Sequence, residues 1–323
     1  MPATPRPIGR SGLHAVPLAF GGNVFGWTAD PEMSFRLLDA FVEAGCNLID
    51  TADAYSRWVP GHEGGESETV IGQWLARDPS KRQKVLIATK VGLDMGPAGK
   101  GLSAGHIASA VEASLKRLQT DYIDLYQSHT DDTSVPLEET LSAYQKLIEA
   151  GVVRAIGASN YTAERLTEAL ETSAREGLPR YESLQPLYNL YDRHVYEGPL
   201  QSLCVREEIG VIPYFSLAKG FLSGKYRNQA DLAQSVRGGS VAAYLNAKGD
   251  RVLQALDDVA ARHGTRPASV ALAWMMAQPG IVAPIASATR PEQLEELLAA
   301  VRLDLSTEDL AALTAAGAEG ADA

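Results

Sequence analysis

Short apolar runs alternate with longer amphipathic runs along the chain. Eight of the short runs are almost continuously apolar and rich in β-branched residues, which is typical of strands buried on both faces. Eight such strands alternating with helices predict parallel strands that close into a barrel. The runs are VPLAF (16–20), NLIDT (47–51), KVLIATK (84–90), YIDLYQSH (122–129), VRAIGASN (153–160), SLQPLYN (183–189), GVIPYFSL (210–217) and IVAPIASA (281–288).

The segments between these runs carry helix signals. Ser103 is a good N-cap for a helix with apolar residues at helical spacing, Gly151 is a helix stop, and Pro291 occupies a first helical position. The alternative architecture is an open doubly wound sheet, which a GxGxxG turn after an early strand would favour. GGNVFG, after the first run, has the wrong spacing for that turn.

Three segments depart from the repeat. RPIGRSGLHAV precedes the first run and predicts a short N-terminal β-hairpin that closes the bottom of the barrel. Residues 218–249 predict a long loop that is functional or mobile. The small, acidic tail AAGAEGADA predicts a frayed end. Because α/β barrels commonly reach this length as one unit, we expect residues 1–323 to form a single domain.

The composition of the chain limits the classes of partner and ligand that are expected. The formal charge of −11 disfavours nucleic acid and anionic membranes, so a small molecule is the expected ligand. Cys46 and Cys204 are far apart, which disfavours a disulfide framework or a thiolate metal site, and no metal is expected. No apolar run is long enough for a signal peptide or a membrane span, so a cytoplasmic location is expected.

Polar residues collect where the strands end. The second run ends at Asp50, the third at Lys90 and the fourth at His129, and Tyr55 follows the second run closely. The C-terminal ends of barrel strands carry the chemistry of this architecture, so these four side chains are expected to meet at one mouth. Taken singly, each has an ordinary structural interpretation, such as a turn-forming aspartate or a solvated lysine.

Together the four residues predict proton delivery to a carbonyl oxygen. A free phenol is too weak an acid at neutral pH, and the Lys90 ammonium is expected to lower the pKa of Tyr55. Asp50 would keep the buried Lys90 charged, and His129 would hold the substrate oxygen. No side chain donates hydride, which implies a nicotinamide cofactor.

The motifs NLIDTADAYS, VLIATKVG, DYIDLYQSH, GVVRAIGASNY and PEQLEE, in this order, closely resemble the aldo-keto reductase superfamily. Among its members the chain looks most like bacterial branches related to potassium-channel β subunits and to sugar-processing reductases. The resemblance implies a (β/α)8 TIM barrel that uses NADPH/NADP⁺ without a Rossmann fold. It assigns the catalytic tetrad to Asp50, Tyr55, Lys90 and His129.

The resemblance also implies cofactor contacts. Ser159, Asn160 and Gln185 would hold the nicotinamide amide, and Tyr214 would stack on its ring. Lys219 and Lys225 would contact the pyrophosphate, although both could be ordinary loop charges, and Arg290 favours NADPH over NADH. The remaining expected cofactor contacts are Gly22, Asn23, Phe215, Ser216, Leu217, Ser287, Thr289, Gln293 and Glu296.

Several positions depart from the family pattern. Ser287 replaces a usual glycine and Leu297 a common asparagine, which affects the expected cofactor contacts. YFSL at 214–217 replaces the usual YSPL. Trp27 and Trp58 lie in loops after the first two runs, where they are expected either to wall the substrate pocket or to pack on the barrel rim.

The predicted function is NADPH-dependent reduction of an aldehyde or ketone, with hydride from the nicotinamide and the proton from Tyr55. An alternative is a cofactor-sensing partner subunit, which the lack of an extra segment before the barrel makes less expected. Lyase or isomerase chemistry on a sugar phosphate is a third hypothesis, and it lacks an evident second phosphate site. The physiological substrate, the direction of the reaction and the oligomeric state are left open.

Overall fold

The fold is known from a computed structural model, which describes residues 4–234 and 238–319; the last four residues of the predicted frayed tail lie outside this part. Eight described strands form one parallel sheet. In chain order they are β3 (Ala19–Gly21), β4 (Leu48–Asp50), β5 (Leu86–Val91), β6 (Ile123–Ser128), β7 (Val153–Ser159), β8 (Tyr181–Gln185), β9 (Gly210–Val211) and β10 (Ile285–Ala286), preceded by β1 (Arg6–Pro7) and β2 (His14–Ala15).

The sheet closes on itself. Its order is β10-β3-β4-β5-β6-β7-β8-β9. The two outer members are joined by backbone hydrogen bonds from Val282 N to Val211 O (2.8 Å) and from Ile285 N to Pro213 O (2.9 Å). The predicted (β/α)8 TIM barrel is therefore confirmed, and the alternative of an open doubly wound sheet is wrong.

Helices surround the barrel. Two of them begin where the sequence predicts: the side chain of Ser103 accepts a hydrogen bond from His106 N (3.4 Å), and Pro291 opens its helix. The helices are α1 (Pro31–Glu43), α2 (Glu66–Arg77), α3 (Ala104–Leu118), α4 (Leu137–Glu149), α5 (Ala163–Glu176), α6 (Pro199–Arg206), α7 (Ala247–His263), α8 (Pro267–Met276), α9 (Pro291–Ala300) and α10 (Thr307–Ala316). None of the described helices is long and apolar enough to cross a membrane.

The N-terminal hairpin fills the bottom of the barrel, as predicted. β1 and β2 pair antiparallel, and the turn between them buries Ile8 and Leu13 completely or almost completely. These two side chains pack in one cluster with Leu48 and Leu125, which line the barrel interior. Water is excluded from that end, so the opposite end holds the open mouth.

Two predicted strands are much shorter than their apolar runs. β9 and β10 have two residues each. Pro213 and Pro284 lie within these runs, and proline has no N–H to donate to a strand ladder.

The segment 218–249, predicted as a long loop, contains more regular structure than expected. Its described part contains three 3₁₀ helices, at Ala218–Ser223, Gln229–Gln234 and Gly238–Tyr244, and α7 begins at its end.

Candidate active site

Three neighbouring strand ends and one turn bring four polar side chains together. Asp50 ends β4, Lys90 lies one residue before the end of β5, and His129 follows β6 directly. Tyr55 stands in the turn after β4, and its ring centroid lies 6.0 Å from that of His129. The structure thus places the predicted tetrad at one mouth of the barrel. The catalytic roles of its members stay predictions.

Lys90 is the centre of this cluster. Its Nζ donates to Asp50 Oδ2 (2.7 Å), to the Thr51 carbonyl oxygen (2.8 Å) and to Tyr55 Oη (2.8 Å). An ammonium has three N–H groups, so each of its donors has an acceptor. Tyr55 Oη in turn donates to Asp50 Oδ2 at 3.2 Å. A fully buried cation is therefore held by one carboxylate and touches the phenol.

The pKa of Tyr55 differs from the sequence-based expectation. Burial raises the pKa of Tyr55 well above its ordinary 10, and the Asp50 charge and the hydrogen bond to Asp50 raise it further. Burial also lowers the pKa of Lys90, against the opposing effect of Asp50. The predicted lowering of the phenol pKa by Lys90 is thus wrong for this geometry: desolvation and the carboxylate together outweigh the ammonium. Tyr55 keeps its proton at neutral pH.

His129 is neutral at neutral pH. Burial, followed by the nearby Lys90 charge, lowers the pKa of His129 well below its ordinary 6.5. Its Nδ1 is buried and has no hydrogen-bond partner among the described residues. A neutral imidazole has one N–H donor and one acceptor, so His129 is able to donate to an oxygen placed beside Tyr55.

A belt of amides lies next to the tetrad. Gln185 Nε2 donates to Asp50 Oδ1 (2.8 Å), and Asn160 Nδ2 donates to the His129 carbonyl oxygen (3.0 Å). Ser159 Oγ donates to the Gln185 carbonyl oxygen at 2.9 Å. The three residues predicted to hold an amide ligand therefore stand together, and they also bind Asp50 and the His129 backbone.

Sequence reasoning missed one member of this belt. Gln127 is fully buried on β6, and its Nε2 lies 3.4 Å from Asp50 Oδ1. Its Oε1 accepts from Gln185 Nε2 at 3.2 Å. The available signal was position: Gln127 stands two residues before His129, where strand alternation points it into the barrel.

A cleft of about 990 Å³ runs from Tyr55 and His129 to the start of α9. Most of the residues predicted to contact a cofactor line it. They are Asn23, Ser159, Asn160, Gln185, Tyr214, Phe215, Ser216, Leu217, Lys219, Lys225, Ser287, Thr289, Arg290, Gln293 and Glu296. Leu93, Thr130 and Gln234 also line the cleft and were not predicted.

Four predicted site residues do not line this cleft: Asp50 and Lys90 lie beneath Tyr55, and Gly22 and Trp27 lie beside the cleft. Gly22 is buried behind Asp50, where an added Cβ would lie 3.0 Å from the Asp50 carbonyl oxygen, so its glycine serves close packing. Trp27 packs edge-on against Trp58, with ring centroids 5.6 Å apart. Trp58 lines the cleft, is half exposed, and its ring centroid lies 6.1 Å from that of Tyr55. Trp58 therefore forms part of the pocket wall, whereas Trp27 packs beside it on the rim of the barrel.

The loop after β9 has an unusual backbone. Phe215, Ala218, Lys219 and Gly220 have φ between 46° and 100°, the left-handed region. Within it, Ser216 is fully buried, and its Oγ donates to the Pro213 carbonyl oxygen at 3.1 Å. Such turns are costly for non-glycine residues and persist at ligand sites.

The far end of the cleft is cationic. Lys219 Nζ lies 5.4 Å from the Phe215 ring and Lys225 Nζ 4.9 Å from the Tyr226 ring. Arg290 precedes the first residue of α9, whose N-terminal N–H groups favour an anion. Among residues 4–234 and 238–319, none of these three cations forms a salt bridge with a carboxylate. The cleft therefore offers positive charge at one end and a proton donor at the other.

The donor set does not indicate a metal. In the described part of the chain, no group of three or more His, Cys, Asp and Glu side chains has the arrangement of a metal site.

Comparisons with known proteins agree with this architecture. The model of the Aldo/keto reductase family matches residues 17–318. The chain is 35% identical over 305 residues to "Aldo-keto reductase YhdN" of Bacillus subtilis (strain 168), covering 90% of this chain and 85% of that protein. It is 33% identical over 312 residues to "Uncharacterized oxidoreductase YrpG" of the same organism, covering 94% and 92%.

Another relative is named as a channel subunit and not as an oxidoreductase. The "Probable voltage-gated potassium channel subunit beta" of Arabidopsis thaliana is 33% identical over 301 residues, covering 91% of this chain and 90% of that protein. With these matches, the chain belongs to the aldo/keto reductase family. It is an NAD(P)H-dependent oxidoreductase of that family, whose members act on small-molecule carbonyl compounds.

Proposed function

We propose that this chain is an NADPH-dependent carbonyl reductase that converts an aldehyde or ketone to an alcohol. The observation that carries the proposal is the position of Tyr55. Its hydroxyl touches the buried Lys90 ammonium at 2.8 Å and borders the cleft beside His129. A proton donor, a cation and a neutral hydrogen-bond donor then surround the place where a carbonyl oxygen would lie.

Each residue has a defined part in the proposed reaction. Tyr55 holds a proton on Oη and gives it to the carbonyl oxygen as hydride transfer turns that oxygen into an alkoxide. An alkoxide is a stronger base than a phenolate, so the raised pKa of Tyr55 keeps the donor protonated and still allows the transfer. Lys90 donates a hydrogen bond to the same Oη, so it stabilises the negative charge that develops there when the proton leaves. His129, being neutral, donates to the carbonyl oxygen and fixes its position. When bound, the nicotinamide supplies the hydride that the carbonyl carbon accepts.

The cleft fits a dinucleotide that carries phosphates. Ser159, Asn160 and Gln185 provide amide and hydroxyl groups next to Tyr55, which suits a carboxamide. Lys219, Lys225 and the start of α9 would hold the phosphates. Free guanidinium groups bind phosphate with two charge-assisted hydrogen bonds, which supports a preference for NADPH through Arg290.

Steady-state turnover tests the proposal. NADPH oxidation is followed by absorbance with a panel of aromatic aldehydes, aliphatic ketones and keto sugars. We expect oxidation with at least one member, and alcohol formed in equal amount. The proposal is wrong if NADPH binds, as followed by tryptophan fluorescence, and no member of the panel is reduced faster than in buffer.

Replacing Arg290 by Ala tests the cofactor preference. We expect the Kd for NADPH to rise about 10- to 100-fold, because one or two charge-assisted hydrogen bonds to the 2′-phosphate are lost. The Kd for NADH should change little. Both are measured by fluorescence titration. Arg302→Ala is the control, because Arg302 lies beyond the other end of α9 and outside the cleft. Equal losses for NADPH and NADH would rule out the assigned contact.

The similarity to the Arabidopsis thaliana channel subunit supports a second candidate, a subunit that senses the cofactor and binds a partner. This candidate is tested by size-exclusion chromatography with and without NADPH. A change of assembly on addition of NADPH, together with turnover no faster than in buffer, would favour it over the reductase.

A further inference from the structure

A second layer of charged side chains lies behind Lys90. Asp53 is 3% exposed, and Glu68 on α2 is fully buried. Glu68 Oε1 accepts from Thr89 Oγ1 at 2.5 Å, and its Oε2 accepts from Arg117 Nε at 2.7 Å. The Glu68–Arg117 pair links α2 to α3.

The charges of this layer do not balance with ordinary pKa values. Asp50, Asp53 and Glu68 are buried carboxyl groups, whereas the cations beside them are Lys90 and Arg117. Three carboxylates and two cations leave one uncompensated negative charge away from water. Such a charge is costly, and binding one proton removes it.

Asp53 is the member suited to hold that proton. Asp50 and Glu68 each form a salt bridge and accept hydrogen bonds at both oxygens. Asp53 forms no salt bridge within the described residues, and its Oδ1 is buried without a hydrogen-bond partner there. Protonation removes the uncompensated charge, and a neutral carboxyl costs less than a carboxylate to keep buried with an oxygen that lacks a partner.

The surroundings of Asp53 agree with this assignment. Burial, and after it the Glu68 charge, raises the pKa of Asp53 to about 7, against Arg117, the backbone N–H of Ala54 and Lys90. Two buried phenols on β6 and α4 also feel its charge, since it raises the pKa of each of them. The titratable and charged groups that face Asp53 are thus Glu68, Lys90, Arg117, Tyr126 and Tyr144.

We propose that Asp53 is a positioning residue that carries the proton required by the charge balance of this layer and whose ionisation helps to keep the Lys90 ammonium charged beneath Tyr55. The Asp53 charge favours the protonated form of Lys90, as do the charges of Asp50 and Glu68. The effect on catalysis rests on the proposed reductase function. The bound proton does not, and it is measurable on the protein alone.

Unfolding by urea at pH 5 and pH 8 tests the bound proton. Unfolded Asp53 loses its proton near its ordinary pKa of 3.8, whereas the folded residue keeps it until about 7. The unfolded state therefore binds fewer protons between these values, and the group's contribution to stability falls as pH rises through that window and is constant above it. Asp53→Asn removes this loss. We expect the ratio of wild-type to variant unfolding constants to be roughly 10- to 100-fold larger at pH 8 than at pH 5.

Titrating groups that do not interact with Asp53 are common to both proteins and cancel in that ratio. Asp124→Asn is the matched control, because Asp124 is equally buried on β6 but is paired with Arg82 and Arg154. This control should be less stable than wild type at both pH values. An Asp53→Asn ratio that is the same at pH 5 and pH 8 overturns the inference, whatever the turnover results.

Carboxyl ¹³C NMR of wild-type protein keeps the test open if Asp53→Asn does not fold. We expect one aspartate carboxyl to titrate near pH 7, and its midpoint to fall in Glu68→Gln, which removes the neighbouring negative charge. The inference is wrong if no aspartate carboxyl titrates more than about one unit above its ordinary pKa.

The positioning role has its own readout. If the reductase function holds, the pH profile of kcat/KM should bend near pH 7 by about three- to tenfold in wild type and lose that bend in Asp53→Asn. Coinciding profiles, with the proton detected by unfolding or NMR, would leave Asp53 a purely structural residue and overturn this role. An absence of all carbonyl turnover would count against the proposed function alone.

Discussion

Tyr55→Phe is expected to lower kcat/KM for carbonyl reduction by about 10²–10⁴-fold, because the reaction loses its proton donor. The ring should stay in place. It lies 4.6 Å from Lys90 Nζ and 6.1 Å from the Trp58 ring, and neither contact needs the hydroxyl. Binding of NADPH, measured by fluorescence titration, should change little, so the loss should appear in kcat at saturating cofactor.

The control for this variant is Tyr122→Phe. Tyr122 stacks on the Arg82 guanidinium, 3.7 Å from its ring centroid, just before β6 and at the opposite end of the barrel. Its hydroxyl should not matter for turnover. If Tyr55→Phe keeps kcat/KM within about threefold of wild type, a loss smaller than any well-placed general acid would cause, then Tyr55 is not the acid.

Lys90→Met is expected to lower the free energy of unfolding by about 3–5 kcal/mol. Methionine has nearly the same length as lysine, so packing is retained, but the Asp50 carboxylate loses its cation while it stays 1% exposed. The double variant Asp50→Asn with Lys90→Met removes the stranded charge. The free energy of unfolding of the double variant should be higher than that of Lys90→Met by most of this loss of about 3–5 kcal/mol, as measured by urea unfolding at pH 7.

The salt bridge between Lys81 and Asp39 serves as the comparison for Lys90. It has a similar distance, 2.5 Å, but the Asp39 side chain is 44% exposed. Lys81→Met should therefore cost less than about 1 kcal/mol, because water and salt screen exposed pairs. Equal effects of the Lys81 and Lys90 substitutions would contradict the importance of burial at the tetrad.

The architecture was predictable because buried parallel strands leave a simple record in the sequence. Nearly continuous apolar runs such as IVAPIASA marked strands in the right order, and Ser103 and Pro291 marked helix starts. The lengths of β9 and β10 were not predictable from apolar character alone. Proline is apolar and fits the run, yet it interrupts the hydrogen-bond ladder that defines a strand.

The tetrad could also be located from sequence, because strand C-termini meet at one mouth in a parallel barrel. The layer of charged side chains behind Lys90 could not be located from the sequence. Glu68 and Arg117 are 49 residues apart on two helices, and only their packing brings the guanidinium to the carboxylate. Likewise the position of Gln127, two residues before His129, indicated a side chain that points into the barrel, but not that it lies against Asp50.

The direction of the pKa shift of Tyr55 illustrates the same limit. Sequence reasoning weighed one pairwise charge effect, that of Lys90 on the phenol. The structure adds the burial of the ring and the position of Asp50, and both favour the neutral phenol. Balances between desolvation and charge depend on depth and distance, which a sequence does not supply.

The hairpin at the barrel bottom has a consequence for biosynthesis. Arg6 Nη1 donates to the carbonyl oxygens of Met276 (2.7 Å) and Ile281 (2.8 Å), so these bonds form only after a segment at least 270 residues later in the sequence has been made. Until then the nascent chain cannot complete its cylinder, and apolar side chains such as Ile8 lack their final cover. The barrel therefore depends on contacts between residues that are far apart in sequence, and folds of this kind form more slowly than folds built from local contacts.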